Sequence, residues 1–131
     1  MKARCRNCAP CSPGVALVQV IHVRDEAALD QAGAWAPHVD ALLLDSGNPQ
    51  AAIRELGGTG RTHDWAISAA LVRAVAPCPV FLAGGLRAEN VAEAVRTVRP
   101  YGVDVCTGVR TSGVLDAQKL AAFSLALGGR R

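Results

Sequence analysis

Aromatic side chains are scarce in this chain: two Phe, two Trp and one Tyr make up 4 % of its 131 residues. With half of the residues hydrophobic, the core has to be built from Val, Leu, Ile and Ala. That is the composition of a buried parallel sheet packed by alanine-rich helices. Long apolar runs are also missing. Nothing approaches the stretch of about 18 residues that a membrane span needs, so no membrane contact is expected. A strong charge of either sign is absent too. The net charge is +3, and the basic residues are scattered rather than interleaved with aromatics, which speaks against a nucleic-acid partner. The start, "MKARCRNCAPCSPG", is basic but has no signal-type apolar core, and "VALVQVIHV" is short and reads as a strand. A cytoplasmic location is expected. The length suits one domain, able to bury roughly two thirds of its surface.

No disulfide framework is expected from the five cysteines: their number is odd and no secretory signal accompanies them. Cys5, Cys8 and Cys11 have the spacing C-x-x-C-x-x-C, whereas Cys78 and Cys106 lie far away. A metal or cluster site would need a fourth ligand, and neither His22 nor His38 has ligand-like spacing. Cluster-binding runs also carry more cysteine and end in Cys-Pro. A tail of reduced thiols over residues 1–14 is the expectation, with metal or redox chemistry as its rival.

From residue 15 a rhythm sets in. Strands are expected over 15–23, 40–46, 78–85 and 102–109, each β-branched or apolar. Helices are expected over 24–39, 65–76, 87–100 and 115–129. Asp25, Asp64 and Asp116 are the candidate N-caps, and Pro37, Pro100 and Gly128 the stops. The order βαβαβαβα argues for parallel strands joined by crossovers.

In three of the four units the chemically informative residues sit at or just after a strand end. They are Asp45 with the loop from Gly57 to Arg61, then Gly84 and Gly85, then Thr107 and Gly108. Ligands of parallel sheets collect at the carboxyl ends of the strands. Backbone N–H groups approach a phosphate where no Cβ intrudes, and a following helix adds its positive end. Any single glycine pair is explained as a tight turn. Three in series favour an anion-binding rim.

The segments "LLLDS", "GGTGRTHDW", "PVFLAGGLRAENVAEAVRTVRPYGVDV" and "TGV" follow one another in order and spacing. Together they resemble the C-terminal half of the phosphoribosylanthranilate isomerase family, over about residues 15–128. That family belongs to tryptophan biosynthesis and folds as a single (β/α)8 barrel. The resemblance implies that residues 15–131 form an α/β domain, a (βα)4 half of a TIM barrel with parallel strands. It implies an Amadori rearrangement of an aminoaldose to an aminoketose on a phosphorylated ribose substrate, by proton transfer alone and with no cofactor. A general acid opens the ribose ring and a general base removes the C2′ proton. The match puts the acid at Asp45, where partial burial would favour a retained proton; a helix or turn cap is the structural alternative. By the same match, Gly84, Gly85, Thr107 and Gly108 hold the phosphate through main-chain amides, and Gly57, Gly58 and Gly60 belong to a loop over the substrate. Asp104 faces the pocket, either binding a ribose hydroxyl or standing as a structural carboxylate.

The chain departs from the family in a way that shapes the expectation. The first-strand "K-x-C-G-I"-like motif that carries the base is absent, as are the arginine and histidine that grip anthranilate. His63 stands where the family commonly has Phe, and is read as an exposed loop residue in preference to a substrate contact. Cys106 replaces Ser and Arg110 replaces Glu. A half-barrel leaves edge strands and an inner face open. Three arrangements answer this: a separate N-terminal half as partner, a homo-oligomer, or a truncated gene product. A non-catalytic phosphosugar-binding module, keeping the rim without the base, is the competing function.

Overall fold

A computed structural model describes residues 14–46 and 64–128. The chain runs through β1 (Val18–His22), α1 (Ala27–Trp35), β2 (Ala41–Asp45), α2 (Trp65–Ala74), β3 (Val80–Leu82), α3 (Val91–Val98) and β4 (Gly102–Val103). A short hairpin, β5 (Arg110–Thr111) and β6 (Val114–Leu115), then leads into α4 (Ala117–Gly128). The first four strands form one sheet in the order β1-β2-β3-β4, and every pairing is parallel. The expected alternation of strand and helix is therefore present.

Strand register divides the sheet into two unlike faces, because successive side chains point to opposite sides. Ile21, Leu44 and Leu82 lie in one row, Leu42 and Val80 in the next, and all five are buried. They form one core with Ala28 and Ala32 of α1, Leu71 of α2, and Val91, Ala94 and Val98 of α3. The opposite face carries Val18 beside Ala41, Val20 beside Leu43 beside Phe81, and His22 beside Asp45. Here Val18 and Val20 stay 53 % and 38 % exposed. The helices thus cover one face and leave the other open. On that open face the Phe81 ring lies over Gly102, where a Cβ would sit 2.8 Å from Cε1, and meets the Tyr101 ring edge-on at 5.4 Å.

The helix ends follow their sequence signals. Asp64 caps α2 by accepting from the Ala66 N–H at 2.8 Å. Asp25 accepts from the Ala27 N–H at 2.9 Å, at the start of α1. Arg99 closes α3 in the left-handed conformation, with φ 54°, immediately before Pro100. Pro37 falls in a 3-10 turn, Ala36–His38, that extends α1.

Two expected strands are much shorter. The 78–85 segment is regular only at Val80–Leu82, because Gly84 and Gly85 take positive φ (90° and 65°) and turn the chain out of the sheet. That removes the partner of the 102–109 segment. Its last bond to the sheet runs from the Asp104 N–H to the Leu82 carbonyl, and residues 107–109 coil into a 3-10 turn. The hairpin after it, turning through Ser112 and Gly113 at positive φ, is an addition to the expected element order.

Candidate active site at the carboxyl ends of the strands

Asp45 ends β2 and is 8 % exposed. Its Oδ1 accepts from the Ser46 N–H at 2.7 Å, so one oxygen is held at the point where the strand stops. Asp45 borders a cavity of about 210 Å³ together with Gly84, Gly85, Asp104 and Thr107. The structure thus brings together five residues singled out along the sequence, drawn from three strand ends. Cys106 joins them, exposed and with a free thiol. Gly108 is set apart: it lines an adjoining hollow of about 390 Å³ with Arg87 and Lys119, and Gly85 and Thr107 border both spaces. Gly57, Gly58, Gly60 and His63 lie outside the described residues, as do Cys5, Cys8 and Cys11.

Packing already demands glycine at two of these positions. A Cβ on Gly84 would come within 2.6 Å of Ser46 Oγ and 2.8 Å of its backbone nitrogen. A Cβ on Gly108 would run into the carbonyl oxygen of Leu86. The turns after β2, β3 and β4 are therefore pressed together by their backbones, and this closeness shapes the cavity.

One residue not assigned to the rim from the sequence supports it, and a second stands at a neighbouring strand end. Asn90 accepts from the Arg87 N–H at 2.9 Å and donates from Nδ2 to the Gly85 carbonyl at 3.0 Å, fixing the turn between β3 and α3. Its signal was local, an Asn five residues after the second glycine of "GGLRAEN". The other is His22, at the end of β1 in register with Asp45. Its Nδ1 is buried without a hydrogen-bond partner. Only the strand register reveals this pairing.

Asp116 anchors the start of α4. Its Oδ2 accepts from the Thr111 hydroxyl at 2.7 Å and its Oδ1 from the Gln118 and Lys119 N–H groups at 3.0 and 3.1 Å. The Thr111 bond, then the Lys119 N–H, hold its carboxyl below the ordinary aspartate value.

A family model, N-(5′-phosphoribosyl)anthranilate (PRA) isomerase, matches residues 8–125. The chain belongs to this family. It is 51 % identical over 111 residues to the N-(5′-phosphoribosyl)anthranilate isomerase of Haloferax volcanii, a match covering 84 % of this chain and 47 % of the relative. The crystal structure of phosphoribosyl anthranilate isomerase from Thermotoga maritima superposes with a TM-score of 0.72 at 28 % identity, covering 88 % of this chain and 53 % of that one. A phosphoribosyl anthranilate isomerase in complex with reduced 1-(o-carboxyphenylamino)-1-deoxyribulose 5-phosphate superposes with a TM-score of 0.67 at 25 % identity, covering 88 % and 50 %. The chain spans about half the length of the curated relatives it matches. Among the described residues, no helix is long and apolar enough to cross a membrane.

Proposed function

We propose that the chain supplies the acid- and phosphate-bearing half of a phosphoribosylanthranilate isomerase active site, a (βα)4 half of a (β/α)8 barrel. The carrying observation is the cavity that joins Asp45 to the Gly84–Gly85 turn, Asp104 and Thr107. The phosphorylated ligand held by the superposed relative supports the same chemistry here. In this reading the phosphate rests on main-chain amides at Gly84, Gly85, Thr107 and Gly108. Asp104 meets a ribose hydroxyl. The segment containing Gly57, Gly58 and Gly60 covers the substrate. Asp45 gives a proton to the ribose ring oxygen as the C1′–O bond breaks and the nitrogen lone pair forms the C=N bond. Removal of the C2′ proton then needs a base, which the complementary half brings. No cofactor takes part.

The open sheet face supports the half-barrel reading. Four more βα units would cover Val18, Val20 and Phe81 and pair the outer edges of β1 and β4. Whether they belong to the same polypeptide or to another, the requirement on this chain is the same.

The test is reconstitution. This chain is mixed with the first four βα units of a family member, and isomerisation is followed by the consumption of substrate. Activity is expected from the mixture alone, and Asp45→Asn is expected to lower it by about 10²–10⁴-fold, the usual contribution of a positioned acid. An Asp45→Asn mixture as active as the parent would overturn the role of Asp45. Phosphosugar binding by this chain, with no activity in any mixture, would favour the non-catalytic binding module.

A further inference from the structure

Asn90 stands at the N-cap position of α3, yet its side chain accepts no bond from that helix. Asparagine is among the residues that ordinarily cap there. Here the carboxamide is turned back onto the loop. Its Oδ1 accepts from the Arg87 N–H at 2.9 Å and its Nδ2 donates to the Gly85 carbonyl at 3.0 Å. The two partners fix which way round the amide sits, because an N–H needs its oxygen and a carbonyl needs its NH2 group. One half-buried side chain thus grips two consecutive peptide groups, Gly85–Leu86 and Leu86–Arg87.

Both of these peptides are trans, and in a trans peptide the carbonyl and the N–H point in opposite directions. Holding the Gly85 carbonyl therefore sends the Leu86 N–H away from Asn90. Holding the Arg87 N–H sends the Leu86 carbonyl away as well. That carbonyl ends against Gly108, where an added Cβ would collide with its oxygen. The Leu86 N–H has no acceptor among the described residues. Leu86 is 2 % exposed and its side chain belongs to the core. What it offers to the cavity of Asp45 and to the hollow of Gly108, both of which it borders, is backbone.

We propose that Asn90 is the positioning residue of the phosphate subsite. The role rests on the phosphate reading given above and has two parts. Asn90 aims the Leu86 N–H at the phosphate, beside those of Gly84 and Gly85. It also seats the Leu86 carbonyl on Gly108, which sets the distance between the two glycine turns. The carboxamide itself does not touch the ligand, since Asn90 borders neither space. A donor aimed before the ligand arrives needs no reorganisation on binding. Without the clamp, the peptides between Gly85 and Arg87 are free to rotate and the N–H loses its direction.

Two substitutions separate this role from a share in stability. Serine caps a helix about as well as asparagine, but is too short to reach Gly85 and Arg87 together; alanine does neither. Asn90→Ser is therefore expected to melt above Asn90→Ala in circular dichroism of the full chain. Both are expected to bind inorganic phosphate and ribose 5-phosphate about three- to tenfold more weakly than the parent, the loss of one directed N–H donor. Calorimetric titration well below either melting temperature reads this. In the reconstituted enzyme the same weakening is expected in KM, whereas a smaller folded fraction would lower kcat and leave KM in place. Affinity that recovers in Asn90→Ser together with the melting temperature would make Asn90 a stabilising residue only and overturn the proposal. Affinity unchanged in both variants, with a parent that binds, would also overturn it and leave the phosphate on the rim. A parent that binds neither probe would remove the phosphate from the rim, and the role of Asn90 with it.

Discussion

Gly85 is the residue at which the rim is most directly tested. It has φ 65°, a left-handed conformation in which a Cβ costs about 1–2 kcal/mol, and it borders both the cavity of Asp45 and the hollow of Gly108. Gly85→Ala is expected to weaken binding of ribose 5-phosphate or sulfate several-fold, on the order of 1 kcal/mol, through lost N–H contacts. Calorimetric titration with unchanged affinity would remove the phosphate from this turn. Gly108→Ala is a different experiment. Its Cβ meets the rigid Leu86 carbonyl, so the expected effect is on stability, about 1–3 kcal/mol of overpacking, seen as a lower Tm by circular dichroism. The sequence made Asp45 conspicuous, because a carboxylate ends an otherwise apolar run. It could not pair Asp45 with His22, because pairing depends on a register that the chain reveals only when folded. Gly84 and Gly108 were read as phosphate-binding. Their contacts with Ser46 and Leu86 give each a packing reason that no local pattern contains.

At the scale of elements, strands and helices announced themselves by apolar runs and caps, whereas their lengths depended on neighbours. Residues 102–109 have the composition of a strand, yet β4 stops at Val103 because β3 offers no bonding edge beyond its glycine turn. The β5–β6 hairpin had its signal in Ser112–Gly113, a turn-forming pair. It lies in the five residues left between the strand expected over 102–109 and the helix expected over 115–129, too few to suggest two further strands. Asp116 joins this hairpin to α4 by accepting from Thr111 as well as from the helix start. Asp116→Ala is expected to lower the Tm at neutral pH. The native carboxyl titrates below its unfolded counterpart. Its contribution is therefore complete above about pH 4 and disappears as acid carries the pH down through the native value. Melting curves of parent and variant should converge on acidification. A gap that is as wide at pH 2.5 as at pH 7 would assign the effect to something other than the carboxylate.

For the whole molecule, the decisive property is a sheet with one covered face. Val18 and Val20, with Phe81 and the Tyr101 ring beyond them, present apolar surface that helices shield on the other side. The isolated chain is expected to self-associate at micromolar concentrations, as open edges and apolar faces do. Sedimentation velocity should show this, and addition of the complementary half should replace the self-associated species by a one-to-one complex. A monomer that unfolds cooperatively and ignores the added half would contradict the half-barrel arrangement. The order β1-β2-β3-β4 has one more consequence, for the way the chain acquires its shape. Among the described residues no strand is inserted later between two others, so each new strand of the sheet finds its neighbour in the unit synthesised just before it. Loops closed in forming the sheet are short, and the associated entropy is paid in small instalments. Assembly can proceed vectorially as the polypeptide leaves the ribosome, one unit adding to the growing edge of the last.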